Sequence, residues 1–267
     1  MKHDLRWLEE EGISPDDFGL VMAVGGGRQT LDLYVILETV IKPGVSQTRS
    51  TMSAVKGAKG REKKTMTTPY EMYQQLIARV EAFGEAVRER YAAQLTCHAG
   101  CDHCCYQDFT VFPVEAHHLA QAVAALPPNE RQRLQQRLQQ ADHALPMADT
   151  PQPCALLHEG RCSVYDGRPL ICRIQGFPLF SAMIEHPDGS QRDCCPLNFS
   201  TMALPDIESA AIYNLDLVNQ TLAAIHHLYI QATGEPDARV DLRQAVRDAL
   251  AHLSIQAAAS DEADAPL

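Results

Sequence analysis

The chain has 267 residues, 45% of them hydrophobic, and a formal net charge of -11. A chain of this length buries a core without cysteine staples, as one principal domain with appendages, and its acidity excludes general nucleic-acid binding, which rests on Lys and Arg neutralising phosphates. No segment approaches the roughly 18 uninterrupted apolar residues of a membrane span, and Met1 to Glu11 has no secretion-signal core, so a cytoplasmic protein with no membrane partner is expected.

Residues 1–42 read as an N-terminal segment of undecided structure. Asp4 to Glu11 suits a short helix, Ser14-Pro15-Asp16-Asp17 a turn or a new helix start, and Leu31 to Ile41 an apolar segment compatible with strand or helix. Gly25-Gly26-Gly27 lacks both the G-x-G-x-x-G spacing and a following Lys-Ser or Lys-Thr pair, so it reads as a turn and not a phosphate loop. From 43 to 67 the composition shifts to Ser, Thr, Gly, Lys and Arg, and Arg49, Lys56, Lys59, Arg61, Lys63 and Lys64 make a basic run. This stretch reads as a solvated flexible linker, with a docking arm for an acidic protein partner as the sharper alternative.

Residues 68–256 carry the principal domain. Thr68-Pro69 is a helix start, and Tyr73, Leu76, Val80, Phe83, Val87, Tyr91 and Leu95 recur at three- and four-residue steps on one face. That helix leads directly to Cys97. After the extended piece Tyr106 to Pro113, a second helix is predicted from Val114 to Leu126 and a third, capped by Asn129, to about Leu145, peripheral because its apolar stripe is thin. Beyond a loop from Pro146 to Pro153, Cys154 to Tyr165 reads as a hairpin turning at Glu159-Gly160, and Met183 to Cys194 as another around Asp188-Gly189. A long helix is predicted from Pro205-Asp206, with Ile207, Ala211, Leu215, Val218, Leu222, Ile225 and Tyr229 on one stripe and Gly234 as its stop. A last helix spans about Val240 to Ile255, and the acidic tail 257–267 is expected to be disordered. The fold class is thus mainly α, with helices surrounding a small irregular and β-hairpin cysteine cluster.

Nine cysteines are the chemical signal: Cys97, Cys101, Cys104 and Cys105, then Cys154, Cys162 and Cys172, then the vicinal pair Cys194-Cys195. In a reducing compartment such density points to metal ligands before disulfides, and short spacings let thiolates converge at about 2.3 Å from one ion. All nine are candidate metal ligands, and no catalytic constellation is recognisable. In extended backbone adjacent side chains point apart, so Cys104 and Cys105 are not expected to share one tetrahedral ion; one would bridge a cluster, serve a second site or stay free. A four-thiolate centre is anionic and calls for cations. Arg173 beside Cys172 and Arg161 beside Cys162 are placed to supply them, unless they form surface pairs. His98, His103 and His158 are not needed as ligands. An iron–sulfur cluster is preferred over zinc on cysteine density, spacing alone suiting both.

Gly100-Cys101-Asp-His-Cys104-Cys105, Cys154-x-x-Leu157, Gly160-x-Cys162-x-x-Tyr165 and Arg168-Pro169-x-x-Cys172-Arg173 together resemble the YkgJ-type cysteine-cluster family, described as zinc- or iron-chelating domains. The family pattern is C-x-x-C-x-x-C-C, and Cys97 departs from it by one residue. Relatives include a flagellin lysine N-methylase, so the resemblance admits a cluster-dependent lysine-methylase-like enzyme. Cys97-x-x-x-Cys101-x-x-Cys104 also has the spacing of radical S-adenosylmethionine enzymes, but a helix precedes it where those enzymes have a strand, and His103 stands where they usually have an aromatic residue. A thiol redox switch at a vicinal pair is the third alternative, ranked lower because the ring it closes is awkward.

Overall fold

The computed structural model describes residues 67–143, 152–187 and 189–263. The N-terminal segment, the basic run, most of the loop before Cys154 and the turn residue Asp188 lie outside them. Six α-helices dominate the described residues: α1 (Pro69–Arg90), α2 (Pro113–Ala125), α3 (Pro128–His143), α4 (Leu170–Ile174), α5 (Leu215–Thr233) and α6 (Leu242–Ala263). No described helix is long and apolar enough to cross a membrane.

Helix α1 starts where the sequence places it. Thr68 accepts from the Glu71 N–H at 3.2 Å and Glu71 returns the bond to the Thr68 N–H at 2.7 Å, a reciprocal box that satisfies two orphan donors. Its buried face is Met72, Tyr73, Leu76, Ile77, Val80 and Val87, and it packs on α4 and α5. These helices share one apolar core with Phe177, Phe199, Tyr213, Ile225 and Tyr229. A second core joins α2, α3 and α6 through Leu119, Val123, Leu134, Leu138, Val246 and Leu250. Helix α2 serves both, because Val114 faces the first core and Leu119 and Val123 the second.

The strands are two residues each and act as clips. β1 (Thr110–Val111) pairs antiparallel with β7 (Val240–Asp241), β2 (Leu157–His158) with β3 (Arg161–Cys162), and β4 (Leu179–Phe180) pairs antiparallel with β5 (Arg192–Asp193) and parallel with β6 (Tyr213–Asn214).

Four expectations need correction. The helix predicted from Pro205 begins only at Leu215. Single 3₁₀ turns at Leu204–Asp206 and Ser209–Ala211 and strand β6 precede it, and the Asn214 side chain caps it by accepting from the Leu217 N–H at 3.0 Å. Ile207 and Ala211 are buried as expected, but from turns. The hairpin around Gly189 is wider than predicted, its strands being 179–180 and 192–193, and Met183 is exposed. Helix α3 is not peripheral: Leu134 and Leu138 are buried against α6. Finally, α6 runs to Ala263, past the expected end near Ile255.

Candidate metal centre

The cysteines sit where the two cores meet. Helix α1 gives way to a 3₁₀ turn at Ala92–Gln94, and the chain then passes through Cys97 and Cys101 to a second 3₁₀ turn, His103–Cys105. The Cys101 N–H donates to His98 O at 3.0 Å and the Cys105 N–H to Asp102 O at 2.7 Å. Because Cys104 and Cys105 lie in a helical turn, the premise of extended backbone fails, and the two thiols are near enough to act on each other. Their mutual interaction holds the Cys104 thiol below its ordinary range and the Cys105 thiol above it.

The hairpin delivers the next two thiols. Glu159 and Gly160 both take positive φ, 49° and 72°, as a two-residue hairpin turn of the primed kind requires. A Cβ at Gly160 would stand 3.3 Å from Gly100 O, so the turn packs closely on the first cysteine segment. At the hairpin's other end the Cys154 N–H donates to Cys105 O at 2.7 Å. Segments distant in sequence are thereby joined backbone to backbone. Cys172 follows from the first turn of α4, with its N–H bonded to Pro169 O at 3.1 Å.

Charge on Cys154 and Cys162 acts on both Cys105 and Cys172. Burial pushes the Cys154 and Cys162 thiols up, and Cys172 up to about 12. Charge on Cys104 reaches Cys172 as well, so Cys104, Cys105, Cys154, Cys162 and Cys172 are an inner set of free thiols linked through their electrostatics. Cys97 lies in a neighbouring outer group, where charge on Cys101, Cys195 and Cys104 reaches it. Cys194 turns away: it packs on the first core, and its thiol donates to the carbonyls of Cys195 and Asn198 at 3.4 and 3.7 Å.

Two arginines face the inner group, and one differs from the expected pair. Arg173 is 6% exposed, bonded to the Glu81 carboxylate and to Asp166 O, and it donates to Arg168 O at 2.8 Å. Arg168 lies with its guanidinium carbon 3.4 Å from the centre of the Tyr165 ring, and its charge reaches Cys104, Cys162 and Cys172. Arg161 is exposed to solvent, and the charges that act most strongly on Cys162 are those of Cys154, Arg168 and Arg173. Of the histidines, His103 is near enough to act on Cys104, while His98 bonds to Ala99 O.

Sequence reasoning missed Arg168 as a counter-charge and Asn198 altogether. Arg168 could have been found, because the R-P-x-x-C-R element carries it beside Cys172 in the chain. Asn198 carries no such signal, since Thr96 and Cys97, the partners that tie it to the first cysteine segment, lie about a hundred residues away.

The family model CxxCxxCC, described as "Putative zinc- or iron-chelating domain", matches residues 96–196. Over these residues, less than half of its length, the chain is similar to that family. No curated protein and no solved structure matches the chain. The CxxCxxCC segment takes in all nine cysteines, whereas Asn198, α1, α5 and α6 lie beyond it. The donor set suits a zinc or iron centre: free, half-buried thiols with two guanidiniums to offset thiolate charge. Among the described residues, no three His, Cys, Asp or Glu side chains converge tightly enough to hold an ion as they stand. Binding would have to draw the sulfurs together, and so couples metal uptake to local folding.

Proposed function

We propose that the protein holds a thiolate-ligated metal centre through Cys105, Cys154, Cys162 and Cys172, an iron–sulfur cluster in preference to zinc, in a reducing cytoplasmic setting. The observation that carries this reading is the Cys154 N–H to Cys105 O bond, which brings the hairpin's thiols to the 3₁₀ turn. Cysteine density favours the cluster. A cluster would supply one-electron chemistry, and zinc a structural cross-link. The chain's own part is to bury the sulfurs, to present Arg168 and Arg173 to them, and to fix the hairpin register through Leu157 and Cys162.

Anaerobic purification tests the proposal. Brown protein with broad absorbance near 400 nm and stoichiometric iron and sulfide is expected, and Cys154→Ser with Cys172→Ser should abolish the colour. Colourless protein with bound zinc would replace the cluster by zinc. Protein that takes up neither metal would overturn the proposal.

A further inference from the structure

Away from the thiols, two consecutive histidines of α2 flank one tyrosine of α1. His117 is exposed and His118 half-buried, and the Tyr70 ring lies 4.8 Å from the first and 6.1 Å from the second, centre to centre. Gln121, four residues after His117 and three after His118, falls within reach of both along the helix. The polar atoms of these four side chains stand in a row. His117 Nε2 is 2.9 Å from Gln121 Nε2, the Tyr70 hydroxyl is 2.7 Å from Gln121 Oε1, and the same hydroxyl is 2.9 Å from His118 Nδ1.

Where the hydrogens sit follows from the chemistry of each partner. His118 Nε2 faces Asp166 O, in the 3₁₀ turn Tyr165–Gly167, at 3.3 Å. A carbonyl only accepts, so Nε2 carries the hydrogen and Nδ1 keeps its lone pair toward Tyr70, whichever way the Gln121 amide is turned. An imidazole with one N–H tied to a backbone carbonyl is set to ligate a metal through its other nitrogen. The ring is held in that pose, edge-on to the fully buried Tyr73 ring at 5.5 Å. The Tyr70 hydroxyl then has one hydrogen for two acceptors, His118 Nδ1 and Gln121 Oε1. At the other end of the row the Gln121 amide nitrogen donates to His117 Nε2, which presents a second imidazole lone pair. A cation in place of the hydroxyl hydrogen would satisfy both acceptors at once.

We propose that Tyr70, His117, His118 and Gln121 form a sulfur-free site for a borderline divalent cation such as zinc, separate from the cysteines and independent of whether they hold metal. Imidazole nitrogen with phenolate and carbonyl oxygen is a donor set that such ions accept. Two of the four donors are a phenol and an amide, so the site is compatible with the lack, among the described residues, of three converging His, Cys, Asp or Glu side chains. Ligands at about 2.0–2.1 Å from a tetrahedral ion stand about 3.3 Å apart. The contacts of 2.7 and 2.9 Å therefore open by roughly half an ångström on binding. In that step the Tyr70 O–H bond breaks, the proton passes to solvent and the phenolate oxygen takes the ion. Burial raises the Tyr70 phenol above its ordinary range, so the proton leaves only in exchange for the cation.

The test is titration of reduced full-length protein with zinc under anaerobic conditions, followed by the ultraviolet difference band of ionised tyrosine, which zinc held by thiolates does not produce. The wild type should develop the band of about one tyrosinate per chain. Tyr70→Phe, which removes only the hydroxyl, should abolish it. His118→Ala and the exposed His117→Ala should each weaken the zinc affinity read from the band at least roughly tenfold, and Cys154→Ser/Cys172→Ser should leave it unchanged. Circular dichroism checks helix content throughout; should His118→Ala lose it, Tyr70→Phe and His117→Ala decide. A wild type without the band, a band that survives in Tyr70→Phe, or a folded histidine variant that titrates as the wild type does would overturn the site. Loss of the band in folded Cys154→Ser/Cys172→Ser would also overturn it, by making the ion the cysteines' own.

Discussion

Arg168 carries more of the thiol chemistry than its neighbours. Its guanidinium sits over the Tyr165 ring, donates to Tyr165 O at 2.7 Å, and extends positive charge to three cysteines. Replacing it by Gln removes that charge from a half-buried anionic centre. A loss of about 1.4 kcal/mol, tenfold in metal affinity, is expected in competition with a calibrated chelator. Glu115 gives a different kind of prediction. It is 3% exposed and accepts from the N–H groups of Phe112 at 2.9 Å and Leu170 at 3.1 Å, tying α2 to the start of α4. Burial raises its pKa above the ordinary carboxylate range. A carboxyl raised on folding adds stability below its unfolded pKa and loses it as pH rises through the folded value. Glu115→Gln leaves one N–H facing an amide N–H, costing about 1–3 kcal/mol. Urea midpoints should show that deficit largest near pH 4 and smaller at pH 7. An unchanged deficit would assign no titration to Glu115.

The cysteines were legible because their identity is their chemistry, and the Glu159-Gly160 turn because two consecutive positive φ values select few sequences. Asn198 was not. Its role arises from a contact with Cys97 across 101 residues, which no local pattern encodes.

At the scale of elements, short-range signals decided well and stripes alone did not. Thr68, Pro69 and Glu71 fix the start of α1 by local hydrogen bonds, so the sequence names it. The stripe from Ile207 to Tyr229 is apolar throughout, yet its first part is turns and strand, because β4 recruits Tyr213 and Asn214 as a partner. Tyr213 is further fixed by its hydroxyl, which donates to Val80 O at 2.6 Å. Burial alone does not distinguish a helix from a folded-back segment of similar length. Asn214→Ala separates the two descriptions. As a cap its loss should cost about 1 kcal/mol in denaturant unfolding; in the interior of a longer helix the same change would stabilise.

Across the whole molecule, two apolar cores share α2 and meet at the thiols. Cys154 and Cys162 pack against one core, and Cys172 stands on α4, whose Leu170 and Ile174 belong to the other. A metal at this junction would join what side-chain packing joins only in part. Metal-loaded protein should therefore unfold in one cooperative transition. Chelation should lower its midpoint and broaden or split the transition in scanning calorimetry, by an amount set by ligand concentration over Kd. A melting curve unaffected by chelator would exclude a metal that bridges the cores. The mainly α class was readable from helical periodicity, but the division into two cores was not, since it depends on which faces of α2 meet which partners.

The clasp between Thr96 and Asn198 spans 102 residues. On a ribosome adding about 5–20 residues each second, Thr96 emerges seconds before Asn198 does. A metal held jointly by sulfurs from both segments would load only after the later one has been made, under whatever redox conditions the nascent polypeptide then meets.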